Sequence, residues 1–180
     1  MAGTGSLTGH DAEMRDAEMR DGEVALPFDP AARARDAGLV FIGRVRSPWT
    51  RRQDCPRNLT AARETGKTAR VEIDADYRQG LAGLEGASHV IVLTWLDRSR
   101  RDLIVQKPRH AANARGTFAL RSPVRPNPIG LHTVRLDGID LESGILHIDA
   151  VDVLDGTPVV DLKPYFPAVD SFPDVRTPGG

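Results

Sequence analysis

Between residues 38 and 167 apolar positions recur in short runs, and most of those runs have the two-residue period of a β-strand. ARVEID (69–74) puts Val71 and Ile73 on one face. GLVFIGRVRS (38–47) has strand composition, with Val40, Ile42 and Val45 directed inward. SHVIVLTWL (88–96) is β-branched and almost continuously apolar, which predicts a strand covered on both faces. GTFALR (116–121) predicts a short strand, and LHTVRLDGID (131–140) and GILHIDAVDVL (144–154) predict two more, joined around Gly144. DGTPVVDLKPYFP (155–167) opens on an Asp-Gly turn and runs into a last strand. Only ADYRQGLAGLEG (75–86) has helical spacing, through Tyr77, Leu81 and Leu84, with Gly86 able to cap its end. The strands follow one another without βαβ alternation. That predicts a mostly β fold, a closed or nearly closed barrel or a sandwich, with a short helix and long loops.

Two stretches fall outside this pattern. Residues 1–37 contain a tandem DAEMR, Asp11–Arg15 and Asp16–Arg20, with too few apolar side chains to bury much surface. They predict a disordered extension ahead of a domain at 38–174, with 175–180 as a tail. RSRRDLIVQKPRHAANAR (98–115) predicts a long polar insertion between two strands, of the kind that is functional or mobile.

Composition changes the picture little; the placement of charge changes it more. The 180 residues suffice for one sizeable core, and no apolar run reaches the length of a membrane span. The N-terminus lacks the apolar centre of a secretory signal, so a cytoplasmic protein is expected. Cys55 is the only cysteine and the five histidines have no metal-ligand spacing, so neither a disulfide nor a metal site is expected. Net charge is −1, yet Gly38–Arg135 holds 18 Lys+Arg against 8 Asp+Glu, leaving the ends acidic. A basic middle can attract a phosphate backbone, or can merely solvate an ordinary surface.

Three stretches can carry chemistry. In RSPVRPNPIGL (121–131), Pro123, Pro126 and Pro128 hold Ser122, Arg125 and Asn127 extended before any ligand arrives. Arg121 and Arg125 offer donor forks for carboxylate or phosphate, and Asn127 offers the donor and acceptor an adenine edge requires. The alternative is a stiff edge loop that blocks strand pairing. SPWTRRQDCPRN (47–58) is again rich in proline and arginine, with Arg51, Arg52 and Arg57 between or beside Pro48 and Pro56. Trp49 can stack on a base or close the barrel end, the second being the commoner role. In DGTPVVDLKPY (155–165), a hairpin turn feeding a strand accounts for most features, although Asp155 can accept from a ribose or an amine. No nucleophile motif and no GxGxxG is present.

In content and order, VRSPW with CPRN, GTFALRSPVRPNPIGL and DGTPVVDLKPYFP resemble the TsaA-like domain family, the TrmO-type tRNA methyltransferases. The resemblance spans roughly Gly38 to Asp174. It implies a β-barrel homodimer that uses S-adenosyl-L-methionine to methylate N6 of threonylcarbamoyladenosine beside the tRNA anticodon. Carried over by motif, cofactor contacts fall on Pro56, Arg57, Asn58, Asp97, Arg98, Arg121, Leu131 and the turn Asp155, Gly156, Thr157 and Pro158. Arg51, Arg52, Arg125 and Asn127 are left to the substrate, and Asp155 or Asp161 to the proton of the acceptor nitrogen. Asn58 stands where better-known members have glutamine, and Asp97 where they often have histidine. A non-catalytic RNA- or adenosine-binding module, and a methyltransferase acting on a small molecule, remain the alternatives.

Overall fold

The computed structural model describes residues 19–30, 38–108 and 111–178. Nine strands are described: β1 (Val24–Ala25), β2 (Gly43–Arg46), β3 (Ala69–Ile73), β4 (His89–Trp95), β5 (Leu103–Gln106), β6 (Arg115–Gly116), β7 (Ile129–Asp140), β8 (Ile145–Ile148) and β9 (Pro158–Pro164). Helix α1 covers Leu59–Glu64 and α2 covers Pro167–Asp170. The chain divides into two compact units. One holds Asp97–Pro128 with the segment before residue 38; the other holds Gly38–Leu96 and the chain from Ile129 onward.

The second unit is a closed barrel in the order β2-β3-β8-β7-β4-β9, with β9 pairing back onto β2. Every neighbouring pair is antiparallel. Alternation explains the closure. Val45, Val71, Val90, Val92, Val134, Leu146 and Val159 point inward and are fully buried. Six strands enclose little volume, and compact β-branched side chains fill it. β4 is buried on its inner face and half-buried on its outer one, so the cover expected on both faces is partial. The ladder begins at Gly43, where a Cβ would lie 2.1 Å from the Glu72 carbonyl oxygen. Val40, expected inward, precedes that point and is exposed.

Differences from the sequence pattern have local causes. Residues 75–86 form two 3-10 turns, Ala75–Leu81 and Leu84–Gly86, interrupted by Gly83 at a φ of 88°. Leu81 is buried from this stretch, while Tyr77 is exposed. Helix α1 starts where Asn58 accepts the Ala61 N–H through its side chain at 2.8 Å, an N-cap ahead of LTAARE.

The first unit carries a three-stranded sheet, β1-β5-β6. β5 lies inside the stretch read as a long loop. Of the expected strand 116–121 only Gly116 joins the sheet, and Thr117–Ala119 turn into a 3-10 helix. The buried Thr117 hydroxyl donates to the Leu103 carbonyl at 2.9 Å, which draws the chain off the strand path. Most of the extension expected to be disordered, 1–18 and 31–37, lies outside the described residues. Within it, Val24 and Ala25 pair with β5, and Glu23 accepts the Lys107 N–H at 3.0 Å. Two residues suffice because β5 supplies the partner backbone.

Candidate cofactor site

In the barrel unit, the loop 47–58 and the turn 155–158 are built as one piece. The Asp155 carboxylate accepts the Ser47 N–H at 3.1 Å, and the Asp155 N–H donates to the Trp49 carbonyl at 2.8 Å. Gly156 takes a φ of 80°, a left-handed value suited to glycine, and its N–H reaches the Val45 carbonyl at 2.9 Å. The Thr157 hydroxyl closes the turn on the Leu154 carbonyl at 2.7 Å. Pro158, buried, begins β9. Trp49 is 5% exposed, its indole N–H donating to the Val151 carbonyl at 2.8 Å. Lys67 Nζ lies 4.9 Å from the centre of the Trp49 ring. Trp49 therefore closes the barrel end.

The arginines of this loop divide by partner. Arg51 pairs with Asp54 at 2.7 Å. Among the described residues, no side-chain hydrogen bond or ion pair holds the guanidinium of Arg52 or Arg57, and both are exposed. Pro56 is half-buried, and Asn58, the α1 cap, commits its side-chain oxygen to the helix. Burial pushes the Cys55 thiol up to about 11; Arg52 opposes the rise and Asp152 adds to it. Leu131 stands on the outer face of β7, 49% exposed, opposite Leu93 of β4. Asp161 pairs with Lys163 at 2.8 Å on the outer side of β9. Of the two candidate proton acceptors, only Asp155 belongs to the loop-and-turn assembly.

In the other unit, the loop 121–128 is held by more than its prolines. Gln106, buried, donates through Nε2 to the Thr117 hydroxyl at 2.8 Å and the Val124 carbonyl at 2.5 Å. Arg101 Nε donates to the Pro126 carbonyl at 2.6 Å, and its Nη2 lies 3.4 Å from Asn127 Oδ1. Arg125 bends back on its own loop, Nη1 reaching the Leu120 and Ser122 carbonyls at 3.3 and 3.4 Å. Arg125 thus props the loop, while Arg121 and Asn127 are exposed on it. Asp97 and Arg98 sit exposed in a turn past β4, and among the described residues no side-chain hydrogen bond or ion pair holds Arg98. Sequence reasoning missed Arg101 and Gln106 as supports. Their one signal is position, within a polar segment that the proline-rich loop must fold against.

Exposed Arg57, with the Asp155 turn joined to its loop, suits a ligand carrying both a carboxylate and a hydroxyl or amine. The sequence profile described as the tRNA-methyltransferase O N-terminal domain matches residues 44–171. The chain belongs to this family. Its relatives differ in length. A probable S-adenosyl-L-methionine-binding protein, VirR, of Rhizobium radiobacter is 36% identical over 160 residues, covering 89% of this chain and 87% of the relative. The tRNA (adenine(37)-N6)-methyltransferase of Escherichia coli strain K12 is 38% identical over 141 residues, covering 74% of this chain and 59% of the relative. The crystal structure of TrmO from Pseudomonas aeruginosa superposes with a TM-score of 0.63 at 34% identity, covering 79% of this chain and 62% of that one. The chain spans about three fifths of the length of these last two. No described helix is long and apolar enough to cross a membrane.

Proposed function

We propose that the chain binds S-adenosyl-L-methionine and methylates N6 of adenosine in tRNA, the acceptor being threonylcarbamoyladenosine next to the anticodon. The family match over residues 44–171 carries this reading, because it contains all three stretches assigned to cofactor and substrate. The cofactor supplies an electrophilic methyl group when bound. The protein's own tasks are to hold the two reactants in line, to exclude water, and to take up the proton that N6 loses. Within the barrel unit Arg57 is the candidate for the cofactor carboxylate, Arg121 being the alternative, and the Asp155–Pro158 turn presents a carboxylate to its ribose or amine. Asp155 is the better proton acceptor of the two candidates, since it belongs to the loop-and-turn assembly while Asp161 faces outward. Arg52, exposed on the loop 47–58, holds a tRNA phosphate. A tRNA acceptor also implies a cytoplasmic location.

We further propose that two copies associate through the outer face of β4 and β7. Ile129 and Leu131 are exposed there, opposite half-buried Trp95 and Leu93. Light scattering at micromolar concentration tests this; a monomer mass refutes it.

A non-catalytic binding module is the second reading. It is favoured by the engagement of Asp155 with Ser47 and Asp161 with Lys163, and by VirR, a relative of similar coverage named for binding. Methyl-labelled cofactor incubated with total tRNA separates the two. Label in N6-methylated nucleosides is expected; binding of cofactor with no labelled RNA supports the module. Arg57→Ala should weaken cofactor binding about 10- to 100-fold, the worth of one charge-assisted hydrogen bond. Unchanged affinity removes Arg57 from the site.

A further inference from the structure

Inside the barrel, three polar side chains interrupt an apolar lining. Thr94 of β4 is fully buried, His132 of β7 is 6% exposed, and the side chain of Asp152, between β8 and β9, is 20% exposed. Thr94 Oγ1 lies 3.0 Å from His132 Nε2, and His132 Nδ1 lies 2.9 Å from Asp152 Oδ1. The carboxylate only accepts, so Nδ1 carries a proton; in the neutral form of the ring Nε2 then accepts from the threonine hydroxyl. The order Thr–His–Asp is that of a nucleophilic relay, but a threonine with no exposed surface cannot meet a substrate. Its neighbours along the same inner faces, Val90, Val92 and Val134, are valines, so a wholly apolar lining was open to this fold.

What the relay touches gives it a task. Gly130 pairs with Thr94 across β4 and β7, and a Cβ there would lie 2.3 Å from Thr94 Oγ1 and 2.6 Å from His132 Nε2. The glycine of RPNPIGL therefore has no side chain because the relay occupies its place. Leu131, between Gly130 and His132, turns its side chain to the opposite face. At the other end, the residues flanking Asp152 hold the loop 47–58. The Val151 carbonyl accepts the Trp49 indole N–H and the Val153 carbonyl accepts the Ser47 hydroxyl at 2.8 Å.

We propose that Thr94, His132 and Asp152 are positioning residues that lock the β7 end bearing Leu131 to the loop bearing Arg57, so that the two barrel segments of the cofactor site keep one geometry. This rests on the cofactor reading above and deepens it. A hydrogen bond between ring nitrogens and groups on two other chain segments fixes their separation to within the tolerance of the bond, which packing of valines does not.

The test uses the full chain. Nitrogen-15 spectra of the imidazole should place the neutral ring's proton on Nδ1, the less common form of free histidine. Calorimetry with S-adenosyl-L-methionine should show His132→Leu weakened about 10- to 100-fold, the scale of a misplaced site. His132→Gln, which keeps one donor and one acceptor, should stay within about threefold of wild type. If His132→Leu does not fold, Asp152→Ala replaces it, since its site is partly open to solvent and it removes the acceptor for Nδ1. A proton on Nε2, or unchanged affinity in folded His132→Leu or Asp152→Ala, overturns the relay alone. A wild-type chain that gives no heat with the cofactor overturns the relay's role and the proposed function together.

Discussion

Gly130→Ala puts one methyl group where the Thr94–His132 hydrogen bond runs. At 2.3 Å from Thr94 Oγ1 and 2.6 Å from His132 Nε2, the new carbon stands roughly 1 Å inside ordinary contact. Neither neighbour can step aside cheaply. Threonine is β-branched and stiff at χ1, and the His132 ring is tethered to Asp152. Overpacking a core of this kind costs about 1–3 kcal/mol. Separating the hydroxyl from the ring nitrogen inside the barrel adds about 1–3 kcal/mol for buried groups left unmatched. The two costs overlap, because moving apart relieves the clash, so a total of about 2–4 kcal/mol is expected. In urea, with a slope of about 1–3 kcal/mol/M, the unfolding midpoint should fall by roughly 1–2 M. Thr94→Ala vacates the space the methyl needs. The double variant should therefore lose about 1 kcal/mol or more less than the sum of the single ones. A midpoint for Gly130→Ala within about 0.3 M of wild type, or strict additivity, refutes the steric account.

Three further outcomes follow from the same geometry. At pH 8, Cys55 with its thiol at about 11 should alkylate roughly 100-fold more slowly than a cysteine in an unstructured peptide; equal rates with iodoacetamide would mean the loop around it is open. Glu72 is held below the ordinary glutamate range first by the Arg46 hydrogen bond at 2.7 Å, then by Arg70 at 2.9 Å, against an opposing effect of burial. Its contribution to stability is thus complete above the ordinary glutamate pKa, ~4.3, and fades as pH falls through the lowered one; Glu72→Gln should flatten that acid limb of the melting profile and leave the neutral region little changed. Arg52→Ala should reduce the dependence of log tRNA affinity on log salt by about 0.7–0.9 if Arg52 meets one phosphate, and an identical slope would take it off the RNA path.

How far the molecule can be read from its sequence depends on how local each determinant is. β3, β4, β7, β8 and β9 announce themselves by alternation or by apolar β-branched runs, because one face of each fills the barrel. β5 has the same composition in four residues, but RSRRD before it and KPR after it mask the run. β1 has two residues and exists only against β5. The cap on α1 was legible in principle: Asn58 before LTAARE is an N-cap pattern, and it was overshadowed by the arginine and prolines before it. The proline-rich loop was recognisable as rigid, yet the turn of Arg125 onto the Leu120 and Ser122 carbonyls is not, since those acceptors are aligned only once the loop has folded. The relay was invisible. Thr94, His132 and Asp152 are separated by 38 and 20 positions, and only closure of the barrel brings them together. Histidine spacing interrogates metal ligation, which leaves a lone strand histidine without meaning until its neighbours are known.

The strands that launch and receive the stretch from Leu96 to Pro128 are partners in the same ladder, Trp95 lying directly across from Ile129. A short reverse turn could join those two residues, so the cylinder does not need the stretch in order to close. Lengthening or rewriting such an excursion costs little chain entropy once its two feet are pinned side by side. The architecture thereby separates closure from ornament: the staves can stay as they are while the polar excursion, with its rigid proline hook, tolerates change in length or sequence.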